Sequence, residues 1–296
     1  MKVGILVSRI RVEEKLLIDK LVEKGVDHVV VDVRELVFDP QAGRKSVPFD
    51  VVFERCISQT QAVTAIKVYE SLGIPCVNPS AVIECCGDKL ATSLALIRDG
   101  IATPRIKVAL EPESGLKAVE EMGYPCVLKP TVGSWGRLLG KVNDKDAAEA
   151  ILEHKFTLGG YQHSVVYVQE YVKKKAGAEY RVFVVGDDVL CGIARTSPHW
   201  ITNTARGGQA SVLEITPEIR DLSLRAAKAV GGGILAIDLM EAENGPLMVN
   251  EVNHTMEFRN SIAPTGVDIP GKMIDYVVAK GNATRPAQRT PVGAAR

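Results

Sequence analysis

The sequence predicts an α/β protein whose first part carries a parallel sheet and whose later part turns α+β. Three observations support this. Up to about residue 85, short β-branched runs alternate with segments of helical apolar spacing, as in strands joined by crossover helices. Near 180–194 two apolar runs are joined by Gly186-Asp187-Asp188, a hairpin signal and hence an antiparallel pair. Between about 233 and 253 two further apolar runs carry acidic and amide residues within them, a pattern that core packing alone does not require.

Taken in order, the spacing predicts a strand over 3–7, a helix over 12–24 closed by Gly25, and a strand over 29–33. After turn-rich residues 40–48 come a strand at 51–53, a helix over 59–72 stopped by Gly73, and a strand at 74–77. No Gly-x-Gly-x-x-Gly follows the first strand, so a dinucleotide site is not signalled. The unit reads as architectural, with Arg9, Arg55, Ser58 and Gln59 either surface residues or substrate contacts at strand ends. One capped helix is expected over 80–100, containing Asp88-Lys89, and Thr103-Pro104 marks a domain boundary. Beyond it come a strand (107–110), helix (114–121), strand (126–129), loop, helix (144–153) and strand (165–170). Strands at 180–185 and 189–194 form the hairpin, and a helix over 218–230 ends in Gly231-Gly232-Gly233. A last helix is expected over 268–280, and residues 281–296 read as a mobile tail.

Composition narrows the class. The chain has 296 residues, 46% hydrophobic and 24% charged, with 36 basic residues balancing 36 acidic ones. No broad field advertises nucleic acid or an anionic membrane, and no apolar run approaches a spanning helix. The N-terminus reads as a first strand and not as a signal peptide. The six cysteines show no Cys-x-x-Cys spacing and read as reduced and structural, which places the chain in the cytoplasm.

The chemistry concentrates in a few stretches. Strand alternation puts Glu251 and Asn253 on one side, and Asp238 joins them if the two strands are neighbours. Two carboxylates and an amide oxygen suit Mg²⁺ or Mn²⁺, and magnesium commonly completes its shell with substrate phosphates. The plainer alternative leaves Asp238 capping a strand end and Glu251 on a solvated edge. Lys129 ends an apolar strand and needs an anionic partner; Gly133-Ser134-Trp135-Gly136-Arg137 follows as either a phosphate-covering loop with Trp135 as lid or an ordinary turn. Gln169-Glu170-Tyr171-Val172 can offer backbone groups to an adenine edge, or be a plain edge strand running into solvated lysines. Arg181 and Arg195 fall on the two hairpin strands, suited to clamping polyphosphate or to surface ion pairs. The loop from His199 to Gln209 carries Asn203, Thr204 and Arg206; Arg206 is a candidate oxyanion clamp and Asn203 a phosphate or substrate contact, while His199 reads as structural. No Ser/His/Asp or Cys/His nucleophile constellation stands out.

Together the lysines 89 and 129, the Gly-rich loop, the Gln-Glu-Tyr-Val hinge and the Asp…Asn-Glu-Val-Asn set resemble the ATP-grasp fold. More narrowly, Glu54–Gln59, Gly133–Arg137, His199–Gln209 and Glu251–Phe258 resemble the LysX-type ligases, relatives of the RimK glutamate ligases. The resemblance implies a pre-ATP-grasp domain over 1–85, a small lid subdomain with its connecting helix over 86–172, and a large catalytic subdomain over 173–280. It implies ATP between two sheets, with adenine at Gln169–Val172 and phosphates near Lys89, Lys129, the 133–137 loop, Arg195 and Asn203. Glu179 and Arg181 stand near the nucleotide where the family has Asp-Ile-Arg, a departure from its pattern at Glu179-Tyr180. Asp238, Glu251 and Asn253 would hold Mg²⁺, two ions being expected and Mn²⁺ an alternative. Arg195, Asn203 and Arg206 would serve catalysis, and Asn203, Thr204, Arg206, Met256, Glu257, Phe258, Arg259 and Asn260 the substrate. The implied reaction joins α-aminoadipate to the C-terminal glutamate of the acidic carrier LysW through an acyl phosphate. Alternatives are glutamate as the amine, a RimK-like ligase on another protein, or a regulatory module without catalysis. A homo-oligomer, dimer or tetramer, is the family expectation.

Overall fold

The computed structural model describes residues 1–133, 137–160, 164–202 and 209–283. They form two compact units, the first comprising Met1–Ser80 and the chain from Pro270 onward, the second Ala81–Ile269.

The first unit contains β1 (Lys2–Val7), α1 (Val12–Glu23), β2 (Asp27–Asp32), β3 (Val51–Arg55), α2 (Gln59–Ser71) and β4 (Cys76–Val77). Its sheet runs β2-β1-β3-β4 with every pair parallel. Val3 to Val7 and all of β3 are buried, which is why these strands read as continuous apolar runs without alternation. Arg55 is not a surface residue. Its guanidinium donates to Glu14 Oε1 at 3.0 and 3.2 Å, both side chains lying in the interior. Ser58 caps α2 by accepting from Gln61 N.

The second unit begins with α3 (Ser80–Gly87) and α4 (Lys89–Arg98), followed by β5 (Ile106–Ala109), α5 (Pro112–Met122), β6 (Cys126–Lys129), β7 (Gly140–Val142), α6 (Lys145–Leu158) and β8 (Val166–Glu170). It continues with β9 (Ala178–Val185), β10 (Asp188–Thr196), β11 (Gln209–Val212), α7 (Pro217–Ala229), β12 (Ile234–Glu241), β13 (Leu247–Asn253) and α8 (Arg259–Thr265). Two antiparallel sheets result, β5-β8-β6-β7 and β11-β10-β9-β12-β13. In the smaller sheet Cys126, Leu128, Val166 and Val168 join Val119 of α5 and Leu152 of α6 in one core. In the larger, Val182, Val184, Ile237, Leu239, Val249 and Val252 pack with Leu222 and Ala226 of α7 and with Val82 and Leu96. Each sheet thus gives its apolar face to helices, and its polar side chains stand on the other face.

Three features depart from the sequence reading. The single helix expected over 80–100 is two, because Asp88 adopts an extended conformation and its carboxylate accepts from Leu90 N at 2.7 Å and Ala91 N at 3.1 Å. A new helix start places Lys89 at its first position, where its backbone N–H donates to Thr131 O at 2.8 Å. Asp88→Ala removes that cap and is expected to cost about 1 kcal/mol in chemical denaturation. The strands β7 and β11 were missed, being three and four residues long with little apolar content. Finally, the last helix, α9 (Ile269–Ala283), falls from Pro270 onward in the first unit. Its Gly281 lies so close to Val51 that a Cβ would come within 2.9 Å, and Met273, Ile274 and Val277 are buried. The helix also runs three residues into the expected tail, whose remainder, 284–296, lies outside the described residues.

All six cysteines are free, five of them buried. Among the described residues no helix is long and apolar enough to cross a membrane.

Candidate functional site

The polar face of the larger sheet is assembled by register. Arg195 on β10 stands opposite Glu179 on β9, and Arg181 on β9 opposite Asp238 on β12, itself opposite Glu251 on β13. Because side chains alternate, Glu179 and Arg181 share a face and bring their partners with them. A bulge in β13 adds one more. Asp238 pairs with Glu251 but Leu239 with Val249, so Asn250 is the extra residue. Strict alternation would send Asn250 and Glu251 to opposite faces. The bulge instead lets both stand on the polar side while Val249 and Val252 stay in the core.

Contacts join these side chains to the smaller sheet. Lys129 Nζ, at the end of β6, donates to Gln169 Oε1 at 2.8 Å and to Asn250 Oδ1 at 3.2 Å. Asn250 Nδ2 donates to Glu179 Oε1 at 2.9 Å, and the Thr202 hydroxyl donates to Glu179 Oε2. Lys174 Nζ donates to Trp200 O at 2.8 Å and to Thr202 Oγ1 at 3.3 Å. Lys89 Nζ donates to Gly133 O at 2.6 Å and lies 3.4 Å from Glu251. Arg181 grips Asp238 with two parallel bonds of 2.8 and 2.7 Å, Arg195 reaches the same carboxylate at 3.1 Å, and Asn253 Nδ2 donates to it at 3.3 Å.

The electrostatics follow from this crowding. Burial pulls the Lys129 ammonium down to about 8, with Glu251 pulling the other way. Burial also works to raise the Asp238 carboxyl, but Arg181 and Arg195 outweigh it and hold the group below its usual value. Among the groups in contact, Lys89, Lys129, Lys174, Arg181 and Arg195 outnumber Glu179, Asp238 and Glu251. Arg195 Nε is buried with no acceptor among the described residues. A buried orphan donor within an excess of positive charge fits a polyanion such as a triphosphate.

The divalent-cation set is also brought together. Asp238 and Glu251 are cross-strand partners, and Asn253 touches Asp238. Among the described residues no three His, Cys, Asp or Glu side chains cluster as a protein-only cage. Two carboxylates and an amide are donor types that a hard cation sharing its shell with phosphate oxygens takes. Both Asp238 oxygens already accept from arginine, so a cation there displaces one of those bonds.

The other sequence candidates are placed less uniformly. Glu170 is turned outward, accepting from Arg105 N and Nε at 2.8 Å, while Gln169 points inward to Lys129. The Tyr171 ring meets Trp200 edge-on with centroids 6.3 Å apart, and Lys141 Nζ sits 3.9 Å above it. Val172 is half-buried, and Gly133 and Arg137 are exposed. Met256 and Phe258 are wholly buried, Glu257 acts electrostatically on Arg181, and Arg259 and Asn260 are exposed at the start of α8. Ser134, Trp135, Gly136, Asn203, Thr204 and Arg206 lie outside the described residues. His199 Nδ1 accepts from Ile201 N at 3.0 Å.

Sequence reasoning noted Asn250 as an oxygen donor but left it out of the site, and it missed Lys174 and Thr202. The lysine run read as a solvated face; Lys173 and Lys175 do pair at the surface with Glu243 and Glu241, but Lys174 between them turns inward.

Comparison with known proteins fits this geometry. Residues 86–277 match the RimK-like ATP-grasp domain, and residues 3–85 the LysX preATP-grasp domain. The glutamate–LysW ligase ArgX of Sulfurisphaera tokodaii is 34% identical over 94% of this chain and 98% of its own length. The α-aminoadipate–LysW ligase LysX of the same organism is 31% identical over 95% of this chain and 98% of its own. The crystal structure of a RimK domain ATP-grasp protein from Sphaerobacter thermophilus superposes with a TM-score of 0.79 at 30% identity, covering 94% of this chain and all of that one.

Proposed function

The chain belongs to the RimK-like ATP-grasp family, and from that premise we propose that it joins the amino group of α-aminoadipate to the side-chain carboxylate of the C-terminal glutamate of the carrier protein LysW, at the expense of ATP, in lysine biosynthesis. The observation that carries this reading is the gathering of Lys89, Lys129 and an Arg195 Nε with no acceptor among the described residues on the polar face that also carries Asp238, Glu251 and Asn253.

A free carboxylate resists attack by an amine, because an oxide is a poor leaving group. Transfer of the γ-phosphoryl group to its oxygen, with release of ADP, gives an acyl phosphate. The amine nitrogen then attacks the acyl carbon, a proton leaves the nitrogen, and inorganic phosphate departs. Such a site needs positioning and positive charge but no protein nucleophile, in line with the residue content here. Asp238, Glu251 and Asn253 would hold magnesium, two ions or manganese in their place, which when bound offsets the charge of the phosphates. Lys89, Lys129 and Arg195 bind and orient the phosphates, with the 133–137 loop as a further phosphate contact and adenine against Gln169–Val172. Asn203, Thr204 and Arg206, with residues 256–260, serve the amine and carrier side. The enzyme is assigned to the cytoplasm as a homo-oligomer.

A second reading takes glutamate as the amine, favoured by the 34% identity to ArgX. The two amines differ by one methylene, worth about 1–3 kcal/mol of discrimination by packing. Mass spectrometry of LysW after incubation with the enzyme, MgATP and each amine in turn decides between them. At limiting enzyme more LysW is expected to be modified with α-aminoadipate than with glutamate. LysW left unmodified with both amines, and ATP left intact, would overturn the ligase reading for this carrier.

A further inference from the structure

We propose that Lys174, Thr202 and Asn250 form a positioning relay that fixes the Glu179 carboxylate and, through it, the ammonium of Lys129. The inference rests on Lys129 being a phosphate contact.

Two chains of donors converge on Glu179. On one side Lys174 Nζ donates to Thr202 Oγ1, which gives its only proton to Glu179 Oε2. On the other, Lys129 Nζ donates to Asn250 Oδ1, and Asn250 Nδ2 donates to Glu179 Oε1. The orientation of Asn250 is over-determined. Turned over, its amide would set N–H against the ammonium and oxygen against the carboxylate. Each link is directional in the same way: the lysine at 174 leaves Thr202 no choice but to aim its hydroxyl proton at Glu179. Thr202, Glu179 and Gln169 are all buried, so water does not stand in for a missing member. Lys174 also donates to the Trp200 carbonyl, which pins the turn carrying Thr202. None of the three relay residues needs to touch a ligand; they act by holding a group that does.

The adjacent sequence supplies its own control. Lys173 belongs to the same basic run but pairs with Glu243 at the surface, outside the relay.

The test is calorimetric binding of MgATP to the full chain, without carrier or amine, alongside circular dichroism to establish folding. Thr202→Val keeps the shape and removes the hydroxyl, and is expected to weaken binding about tenfold, as one charge-linked hydrogen bond would. Thr202→Ser restores the hydroxyl without the methyl and is expected to bind within about twofold of the natural chain. Lys174→Met is expected to match Thr202→Val, the double variant to be no weaker than either alone, and Lys173→Met to be unchanged. A Thr202→Val chain that binds as tightly as the natural one overturns the relay. So does a Thr202→Ser chain as weak as the valine variant, or a double variant whose losses multiply. If Thr202→Val does not fold, Lys174→Met against Lys173→Met decides the matter by the same comparison. Failure of the natural chain to bind MgATP would instead remove the nucleotide reading, and the relay with it.

Discussion

Asp238→Asn is expected to lower the stability of the chain by about 3–5 kcal/mol while abolishing ligase activity. Glu251→Gln is expected to abolish activity at a cost below about 1 kcal/mol. Both residues belong to the same proposed cation set, so a purely catalytic role would give them equal stability effects. Their surroundings differ. Asp238 is 5% exposed and answers two arginines, Arg181 at 13% and Arg195 at 3%. An amide in its place keeps one acceptor oxygen and turns an NH₂ group toward a guanidinium, leaving buried positive charge without its counter-charge. Glu251 is 29% exposed and lies 3.4 Å from Lys89, so solvent reaches its carboxylate and takes over much of what it provides. The acid side carries a further signature. Burial tends to raise the Asp238 carboxyl, but the arginines hold it below its ordinary value of 3.8. Its stabilising contribution is therefore complete above that value and is lost as the pH falls through the lower folded one. Urea titrations should show that loss below about pH 4 in the natural chain and a shallower one in Asp238→Asn. Equal unfolding midpoints for Asp238→Asn and the natural chain would exclude a structural role for the arginine–aspartate cluster.

The pairing behind this contrast was half legible. Alternation along 247–253 put Glu251 and Asn253 on one side, and the buried carboxylate at 238 needed a partner, so the cation set could be read from residue types. That Arg181 faces Asp238 depends on how β9 registers against β12, which no local pattern encodes. Asn250 reads as one of three oxygen donors at the end of that strand, but period two places it opposite Glu251, and only the bulge in β13 brings both to one face. Similarly, helical spacing runs unbroken through 80–100, while Asp88 there serves as a cap that restarts the helix. The long strands and amphipathic helices were legible because burial is periodic along the chain. What fixes the site is cross-strand register, one bulge and one cap, each a tertiary choice that leaves a single residue as its trace.

Lys129 gives the prediction in which binding and stability move in opposite directions. Its ammonium is buried and pulled down to about 8 from an ordinary value of 10.5. A triphosphate prefers the protonated form, so MgATP affinity is expected to hold up to about pH 8 and then to fall by up to about tenfold per pH unit. Folding responds with the other sign. Between about 8 and 10.5 the unfolded chain retains a proton that the folded chain has lost, so the contribution of this group to stability rises with pH across that window. Below about 8 both states are protonated and the contribution is flat. Lys129→Met removes the buried charge and with it both slopes: affinity becomes about 100-fold weaker and insensitive to pH, and stability no longer rises between about pH 8 and 10.5. Calorimetry from about pH 7 to about pH 10, paired with denaturant midpoints at the same pH values, reads both quantities on one preparation. Affinity that stays constant through pH 9 in the natural chain would mean that the Lys129 proton does not face the phosphates. The polyanion would then have to be held by Lys89 and Arg195 alone.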